Sequence, residues 1–494
     1  MPVRERSLEP AAWRELFGGR MPQGWPRTMA GVTADSRLVR PGWIFVAVKG
    51  CDRDGHHFVE DAVRRGACAV VAERMPVHRL PVPVWIVGDA RSALSVLAAA
   101  FHGFPSRSLQ VTGVTGTNGK TSVTTFLRQL LERTGHPCGL IGTVLYAFGA
   151  REIPARRTTP GPAELQELLG WMRDAGCSHC AMEVSSHALD QKRAEGVEID
   201  TAVFTNLSRD HLDYHGDMEA YFEAKRQLFT FPGLKHRLVG DGPWSARMAA
   251  SFPGERFLRC GLGEDCDVRA QVLRADASGS WLGFETPWGG GESFLGLPGA
   301  HNVRNVLQAL AAAACAGADW GELLAQVPAL RAAPGRLEAV PAATGRVLVD
   351  YAHTPDALAK VLETLRPLVR GRLIVVFGCG GDRDRTKRAP MAAEVARFAD
   401  WMLLTQDNPR TEDPNRIFAD MLEGIPDTQR MNVVPDRAEA IRMGVEALES
   451  EDLLLIAGKG HETTQEFAGA RVPFDDREVA RRWLREREGN HAAL

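Results

Sequence analysis

A chain of 494 residues exceeds what one hydrophobic core can organise, so about two to four domains are expected. A hydrophobic fraction of 44% and a charged fraction of 24% are those of an ordinary folded protein, and a net charge of −3 supplies no basic field for nucleic acid. The nine cysteines lack zinc-site spacing, the opening MPVRERSLEP has no apolar signal core, and no apolar run approaches the roughly 20 residues that span a bilayer, which predicts a cytoplasmic protein without membrane insertion.

Residues 1–107 predict a small α/β domain, with apolar strands at 43–48, 68–72 and 84–87, helical spacing at 58–65 and an alanine-rich helix at 91–101. Pro105 opens a polar linker. From 108 to 335 strands and helices alternate, which predicts a mostly parallel sheet with helices on both faces. Its strand patterns lie at 109–115, 180–184 and 201–205. The glycine- and tryptophan-rich 268–295 predicts an antiparallel excursion, and 301–316 a long apolar helix. Residues 336–494 form a second doubly wound pattern, with apolar runs at 347–350, 373–377, 401–405 and 453–457. Cys177 and Cys180 make a lone CxxC and are taken as structural thiols.

The densest chemical signal is VTGVTGTNGKTS at 111–122. A β-branched strand enters a glycine turn and leaves as a helix, so free helical N–H groups point at a bound anion. Gly116 and Gly119 let the backbone approach a polyphosphate, Lys120 adds a point charge, and the Thr121 hydroxyl can ligate Mg²⁺. The usual first glycine of such a loop is replaced by Val114, so the turn is a variant. Ligands of open parallel sheets bind beyond the strands' carboxyl ends. Here those ends carry Ser185-Ser186-His187, Asn206 to His211, DYAHTPD, GCGGDRDRTKR, QDNPR and GKGHE. Glu183, on a neighbouring strand end, can share a Mg²⁺ with Thr121. The residues alone leave His211 open between a surface histidine and a ligand, and Lys225 between a snorkelling lysine and a functional one. Asp407-Asn408-Pro409-Arg410 is either a turn or the mount for a guanidinium fork aimed at a carboxylate.

Ten motifs, in order, carry a resemblance over nearly the whole chain: DSR at 35–37, TGTNGKT at 115–121, TTP at 158–160, EVSSHAL at 183–189, NLSRDHLDYHG at 206–216, AHNVRN at 300–305, DYAHTPD at 350–356, GGDRDRTKR at 380–388, DNPR at 407–410 and GKGHE at 458–462. With them the chain resembles the Mur ligases, ATP-dependent amino-acid ligases of peptidoglycan precursor synthesis, and most of all the branch that adds a diamino acid to UDP-N-acetylmuramoyl-L-alanyl-D-glutamate. The resemblance implies three domains: 1–107 for the UDP substrate, 108–335 for ATP and 336–494, Rossmann-like, for the amino acid. It implies ATP contacts at Gly116, Thr117, Asn118, Gly119, Lys120, Thr121, Ser122, Asn302, Arg336, Asp350 and His353. The UDP-muramoyl dipeptide falls to Ser36, Thr158, Thr159, Ser185, Gln191 and Arg193, with 51–53 near the nucleotide. Diaminopimelate falls to Arg388, Asp407, Asn408, Pro409, Arg410, Gly458 and Glu462. Thr121 and Glu183 match ligands of one Mg²⁺, His211 a ligand of a second, and Lys225 a lysine carbamylated by CO₂. Lys120, Lys225, His211 and Glu183 are the catalytic set, and a monomer is expected.

The DNPR motif with its arginine is the version associated with meso-diaminopimelate. Lysine lacks the far carboxylate and would strand a buried guanidinium, at about 3–5 kcal/mol. Lysine as acceptor, a folylpolyglutamate synthase-like ligase and a P-loop ATPase switch are the competing readings. The DSR domain argues against the second, and the strand-end clusters of the last domain against the third.

Overall fold

The computed structural model describes residues 6–7, 23–50, 53–276 and 279–491. Residues 51 and 52, expected near the nucleotide, and most of the opening decapeptide lie outside the described residues. Three α/β units follow one another, each built on its own mostly parallel sheet. The first has four parallel strands, Gly31–Thr33, Trp43–Val46, Ala67–Ala72 and Val84–Ile86. The helix Ala90–Phe101 covers it, burying Ala90, Leu97 and Ala98 against Val32, Ile44 and Val71.

The central sheet has eleven strands. Its central strand for the site, Gln110–Thr115, lies between His179–Glu183 and Thr201–Phe204, both parallel to it. These strands are buried on both faces, which is why they read as continuous apolar runs rather than alternating ones. On one face the helices Lys120–Arg133 and Ala300–Cys315 pack together through Phe126, Leu130, Val306 and Leu310. The expected excursion is the antiparallel set Val268–Asp276, Gly279–Thr286 and Gly289–Leu295. At the opposite end a hairpin that sequence reading missed, Leu145–Phe148 with Arg151–Pro154, widens the sheet. Gly149 (φ 54°) makes the tight turn between its short strands.

The last sheet runs in the order Glu338–Val340, Arg346–Asp350, Leu453–Ala457, Leu373–Phe377, Trp401–Leu404, Met431–Val433, and only its first strand is antiparallel. The doubly wound expectation is met. A further hairpin, Thr464–Phe467 with Ala470–Pro473, follows the last parallel strand. No helix among the described residues is long and apolar enough to cross a membrane.

Candidate active site

The phosphate loop forms where the central strand stops. Val114 is still inside that strand, fully buried and paired with both Glu183 and Val203, so the turn starts later than in the usual motif. Gly116 (φ 144°) and Gly119 (φ 88°) then carry the reversal. A Cβ on Gly116 would lie 1.9 Å from Thr205 Oγ1, and one on Gly119 2.5 Å from Asn305 Oδ1, so neither position admits a side chain. The loop is clamped from the next strand end. The Asn118 N–H donates to Asn206 Oδ1 (3.1 Å), and Thr205 Oγ1 and Asn206 Nδ2 donate to the Asn118 carbonyl. The Ser208 N–H donates to Thr117 Oγ1 at 3.0 Å.

Two lysines converge on this loop. Lys120 donates to the carbonyls of Gly116 (2.8 Å) and Thr117 (2.9 Å), and Lys225, 1% exposed, donates to the same Gly116 carbonyl at 2.9 Å. The helix Met218–Arg226 delivers Lys225, with Nζ 4.3 Å from the centre of the Tyr221 ring. Burial first, and then the neighbouring Lys120 ammonium, push the Lys225 amine well below its ordinary pKa. Burial lowers Lys120 in the same sense, opposed by Glu183 and Asp210.

Thr121 Oγ1 donates to Glu183 Oε2 at 3.1 Å, so two of the expected metal ligands meet. Glu183 is fully buried, and Thr143 fixes its carboxylate through its N–H to Oε1 (2.8 Å) and its hydroxyl to Oε2 (3.0 Å). This is a hard-oxygen set of the kind Mg²⁺ selects. His211 stands nearby in the left-handed region (φ 54°), with its ring 6.2 Å from that of Tyr221, the ring that also carries the Lys225 amine. Its side chain is 46% exposed, and partial desolvation lowers its pKa against the pull of Asp210, which leaves a ring nitrogen lone pair for a metal. With an unmodified lysine the second cluster offers one good ligand; a carbamate on Lys225 would add oxygen donors.

Of the residues expected to hold the dipeptide, those of the central domain form one connected wall. Thr159 Oγ1 donates to the Glu183 carbonyl (2.9 Å) and accepts from the Ser185 N–H (3.0 Å). Arg193 donates to the Thr159 carbonyl and to Gln191 Oε1, and Gln191 Nε2 donates to Tyr214 OH. Thr158 lies 3.1 Å from Thr143 Oγ1, hydroxyl to hydroxyl. Ser36 sits apart, in a turn of the first domain capped by Asp35, and no hydrogen bond among the described residues joins it to the others.

The junction brings the third domain to the loop. Asn118 Nδ2 donates to Asp356 Oδ2 at 2.9 Å. Arg336 lies 4.6 Å over the Tyr351 ring, and its Nη2 is 3.5 Å from Thr121 Oγ1. Asp350 is taken up by the N–H groups of Leu337 and Ala352, both at 2.7 Å, so it shapes the junction from within. His353 bonds the Tyr351 carbonyl, and Asn302 Nδ2 donates to the Pro298 carbonyl.

In the third domain Asp407 and Asn408 follow the strand Trp401–Leu404 and Gly458 and Glu462 follow Leu453–Ala457, at the same end of the sheet on either side of Leu373–Phe377. Asn408 Nδ2 donates to Glu462 Oε2 (3.0 Å), and a Cβ on Gly458 would sit 2.8 Å from Asp407 Oδ2. Arg410, also left-handed (φ 54°), donates to the Gly381 carbonyl and lies 3.7 Å from Glu466. Its side chain is 23% exposed rather than buried as expected from the sequence, so the penalty for leaving it unpaired falls below the buried-charge range. Pro409 packs its carbonyl against Gly381, where a Cβ would come within 2.0 Å. Arg388 is fully buried, with both terminal nitrogens on Glu412 (2.6 Å) and Asp420 (2.8 Å). Its guanidinium is therefore taken up by these two carboxylates and the Gly380 carbonyl.

Three contributors escaped sequence reading: Thr143, Tyr221 and Glu466 of the late hairpin; the Asn206–Ser208 clamp falls in the strand-end cluster read from the sequence. Thr143 follows a glycine at the end of Cys138–Ile141, a strand end like the others, and that was its available signal.

These observations define a three-domain P-loop α/β protein whose phosphate loop is bonded to its third domain through Asn118 and Asp356. The family models agree. Residues 28–102 match the Mur ligase family catalytic domain, 114–313 the Mur ligase middle domain and 335–460 the Mur ligase glutamate ligase domain. The chain belongs to the Mur ligase family, ATP-dependent peptide synthetases. It is 44% identical over 453 residues to the UDP-N-acetylmuramoyl-L-alanyl-D-glutamate–2,6-diaminopimelate ligase of Thermosynechococcus vestitus, covering 90% of this chain and 91% of that one. It is 42% identical over 498 residues to the enzyme of the same name from Pseudomonas aeruginosa, covering 100% of both. A solved structure of a ligase of that name superposes with a TM-score of 0.69 at 35% identity, over 98% of this chain and 100% of that one.

Proposed function

We propose that this protein ligates meso-2,6-diaminopimelate to the D-glutamyl γ-carboxylate of UDP-N-acetylmuramoyl-L-alanyl-D-glutamate, at the expense of ATP, in peptidoglycan precursor synthesis. Full-length relatives at 42–44% identity carry that activity in their names. The observation that carries the reading is the meeting of Thr121, Glu183 and Lys225 around one phosphate loop, with Asp356 of the third domain bonded to the same loop.

The γ-carboxylate attacks the terminal phosphoryl group of ATP, giving an acyl phosphate and ADP. The helix N-terminus and Lys120 hold the triphosphate and follow the charge that moves onto the transferring group. Mg²⁺ held by Thr121 and Glu183, and a second by His211 and a carbamate on Lys225, would neutralise phosphate oxygens. The depressed pKa of Lys225 supports that modification: a neutral amine attacks CO₂, loses one proton and becomes a carbamate anion. An amino group of diaminopimelate then attacks the acyl phosphate, and phosphate leaves. Arg410 meets the distal carboxylate, while Glu462 and Asp407 receive an ammonium group. The junction contacts exclude water from the acyl phosphate. The enzyme works as a monomer in the cytoplasm.

Purified protein with ATP, Mg²⁺ and UDP-muramoyl dipeptide is expected to release ADP and form tripeptide only when diaminopimelate is added. Release of ADP without an amino acid would point to an ATPase switch, and equal use of lysine would remove the assignment of Arg410.

A further inference from the structure

The strand Leu453–Ala457 runs into Gly458-Lys459-Gly460-His461-Glu462, and the lysine in that turn has no role in the reading above. Its side chain is 0% exposed. Nζ donates to Glu462 Oε2 at 2.8 Å and to Asn408 Oδ1 at 3.2 Å. Asn408 is thereby fixed at both ends: Oδ1 also accepts the Glu466 N–H (3.0 Å), and Nδ2 donates to Glu462 Oε2 (3.0 Å). Glu462 takes both bonds on one oxygen and remains 31% exposed, with no protein hydrogen bond to Oε1 among the described residues.

A buried ammonium carries a desolvation cost that a methionine of similar length would avoid, so it needs a compensating task. The network shows one. Without the cation the Asn408 amide is oriented only by the Glu466 N–H on Oδ1 and by the Glu462 carboxylate on Nδ2, and Glu462 presents a full negative charge. With it, Oδ1 gains a charged donor that ties the amide to Glu462, and Glu462 turns a single oxygen of a partly neutralised carboxylate outward. That arrangement suits an ammonium group carried beside a carboxylate, which a bare glutamate would repel.

We propose that Lys459 is a positioning residue for the incoming amino acid, setting the Asn408 amide and the Glu462 carboxylate to receive one zwitterionic end of the diamino acid. The proposal rests on the ligase reading above. It also accounts for a glycine on each side. Gly458 (φ 114°) and Gly460 (φ 53°) fold the turn that points Lys459 inward.

The test uses full-length wild type, Lys459→Met and Lys459→Gln, with steady-state kinetics for each of the three substrates and thermal melts. At least one variant is expected to melt within a few degrees of wild type. Its KM for diaminopimelate should rise about 30-fold or more, while the KM values for ATP and UDP-muramoyl dipeptide stay within about twofold. In an Asn408→Ala, Glu462→Gln background the Lys459→Met change should add less than about threefold, because its targets are gone. An unchanged diaminopimelate KM, a parallel rise for all three substrates, or loss of folding in both variants would overturn the proposal and leave Lys459 a core residue. Wild type inactive with diaminopimelate would instead overturn the ligase reading.

Discussion

Lys120 and Lys225 donate to one and the same carbonyl oxygen, that of Gly116, at 2.8 and 2.9 Å. Two ammonium ions on a single acceptor in a buried site repel one another, and the resulting pressure falls on Lys225, which lies deeper under Tyr221. The arrangement asks Lys120 to stay a cation for phosphate and Lys225 to surrender its proton.

Lys225 should therefore carry a carbamate. Protein equilibrated with ¹³C-bicarbonate is expected to show a carbamate carbon resonance that vanishes in Lys225→Gln. Since the modification needs the neutral amine, the signal should persist at neutral pH, where an ordinary lysine is about 0.1% neutral. No resonance in active wild type would defeat the assignment.

Lys120→Met removes the charge without disturbing the helix it opens. The turnover number is expected to fall on the order of 10³-fold, with the melting temperature held within a few degrees. Stopped-assay ADP release together with a calorimetric scan would separate this from misfolding.

Arg410→Leu should erode the choice between diaminopimelate and lysine. Because its guanidinium is partly solvated, the loss is about 1–3 kcal/mol, roughly 5- to 150-fold in the ratio of kcat/KM values. Competition between the two amino acids, read by product mass, measures it.

The Arg388–Glu412 pair predicts a pH-dependent stability. The hydrogen bond from Arg388, opposed in part by burial, holds the Glu412 carboxyl down to about 2 from its ordinary 4.5. A carboxyl depressed by folding stabilises the native state fully above its unfolded pKa. That contribution fades as pH falls from about 4.5 towards 2. The melting-temperature gap between wild type and Glu412→Gln should be widest near pH 6 and shrink across that interval.

Arg437 and Asp476 are both 0% exposed and joined by two bonds, at 2.7 and 2.8 Å. They pin the helix Asp476–His491 to the sheet, because Arg437 also donates to the Ala457 carbonyl. Asp476→Ala strands the guanidinium and should cost about 3–5 kcal/mol in urea unfolding; a double change to apolar residues should recover much of it.

The phosphate loop, its flanking strands and the polar strand ends were legible in the sequence because the parallel strands are apolar throughout and stop abruptly. Periodicity does not report pairing across distance. Arg388 meets Glu412 and Asp420, 24 and 32 residues away, and nothing local distinguishes it from a ligand-facing arginine. The grip of Thr143 on Glu183 spans 40 residues and is equally silent. The hairpin at Leu145–Phe148 was missed because four-residue strands around a Gly-Ala turn carry too little alternation to register.

The eleven-stranded sheet has two free margins, and both are poor templates. One outer strand, Arg151–Pro154, presents Arg151 and Glu152 and ends in a proline; the other, Gly289–Leu295, starts with three glycines and Glu292. Charge, a missing N–H and backbone entropy each discourage a foreign chain from adding itself there. Gly289 (φ 139°) and Gly291 (φ 146°) also hold backbone that β-branched residues rarely adopt, and a Cβ on Gly291 would meet Leu324 at 2.5 Å, so the residues that make this margin a poor template are the ones its path requires.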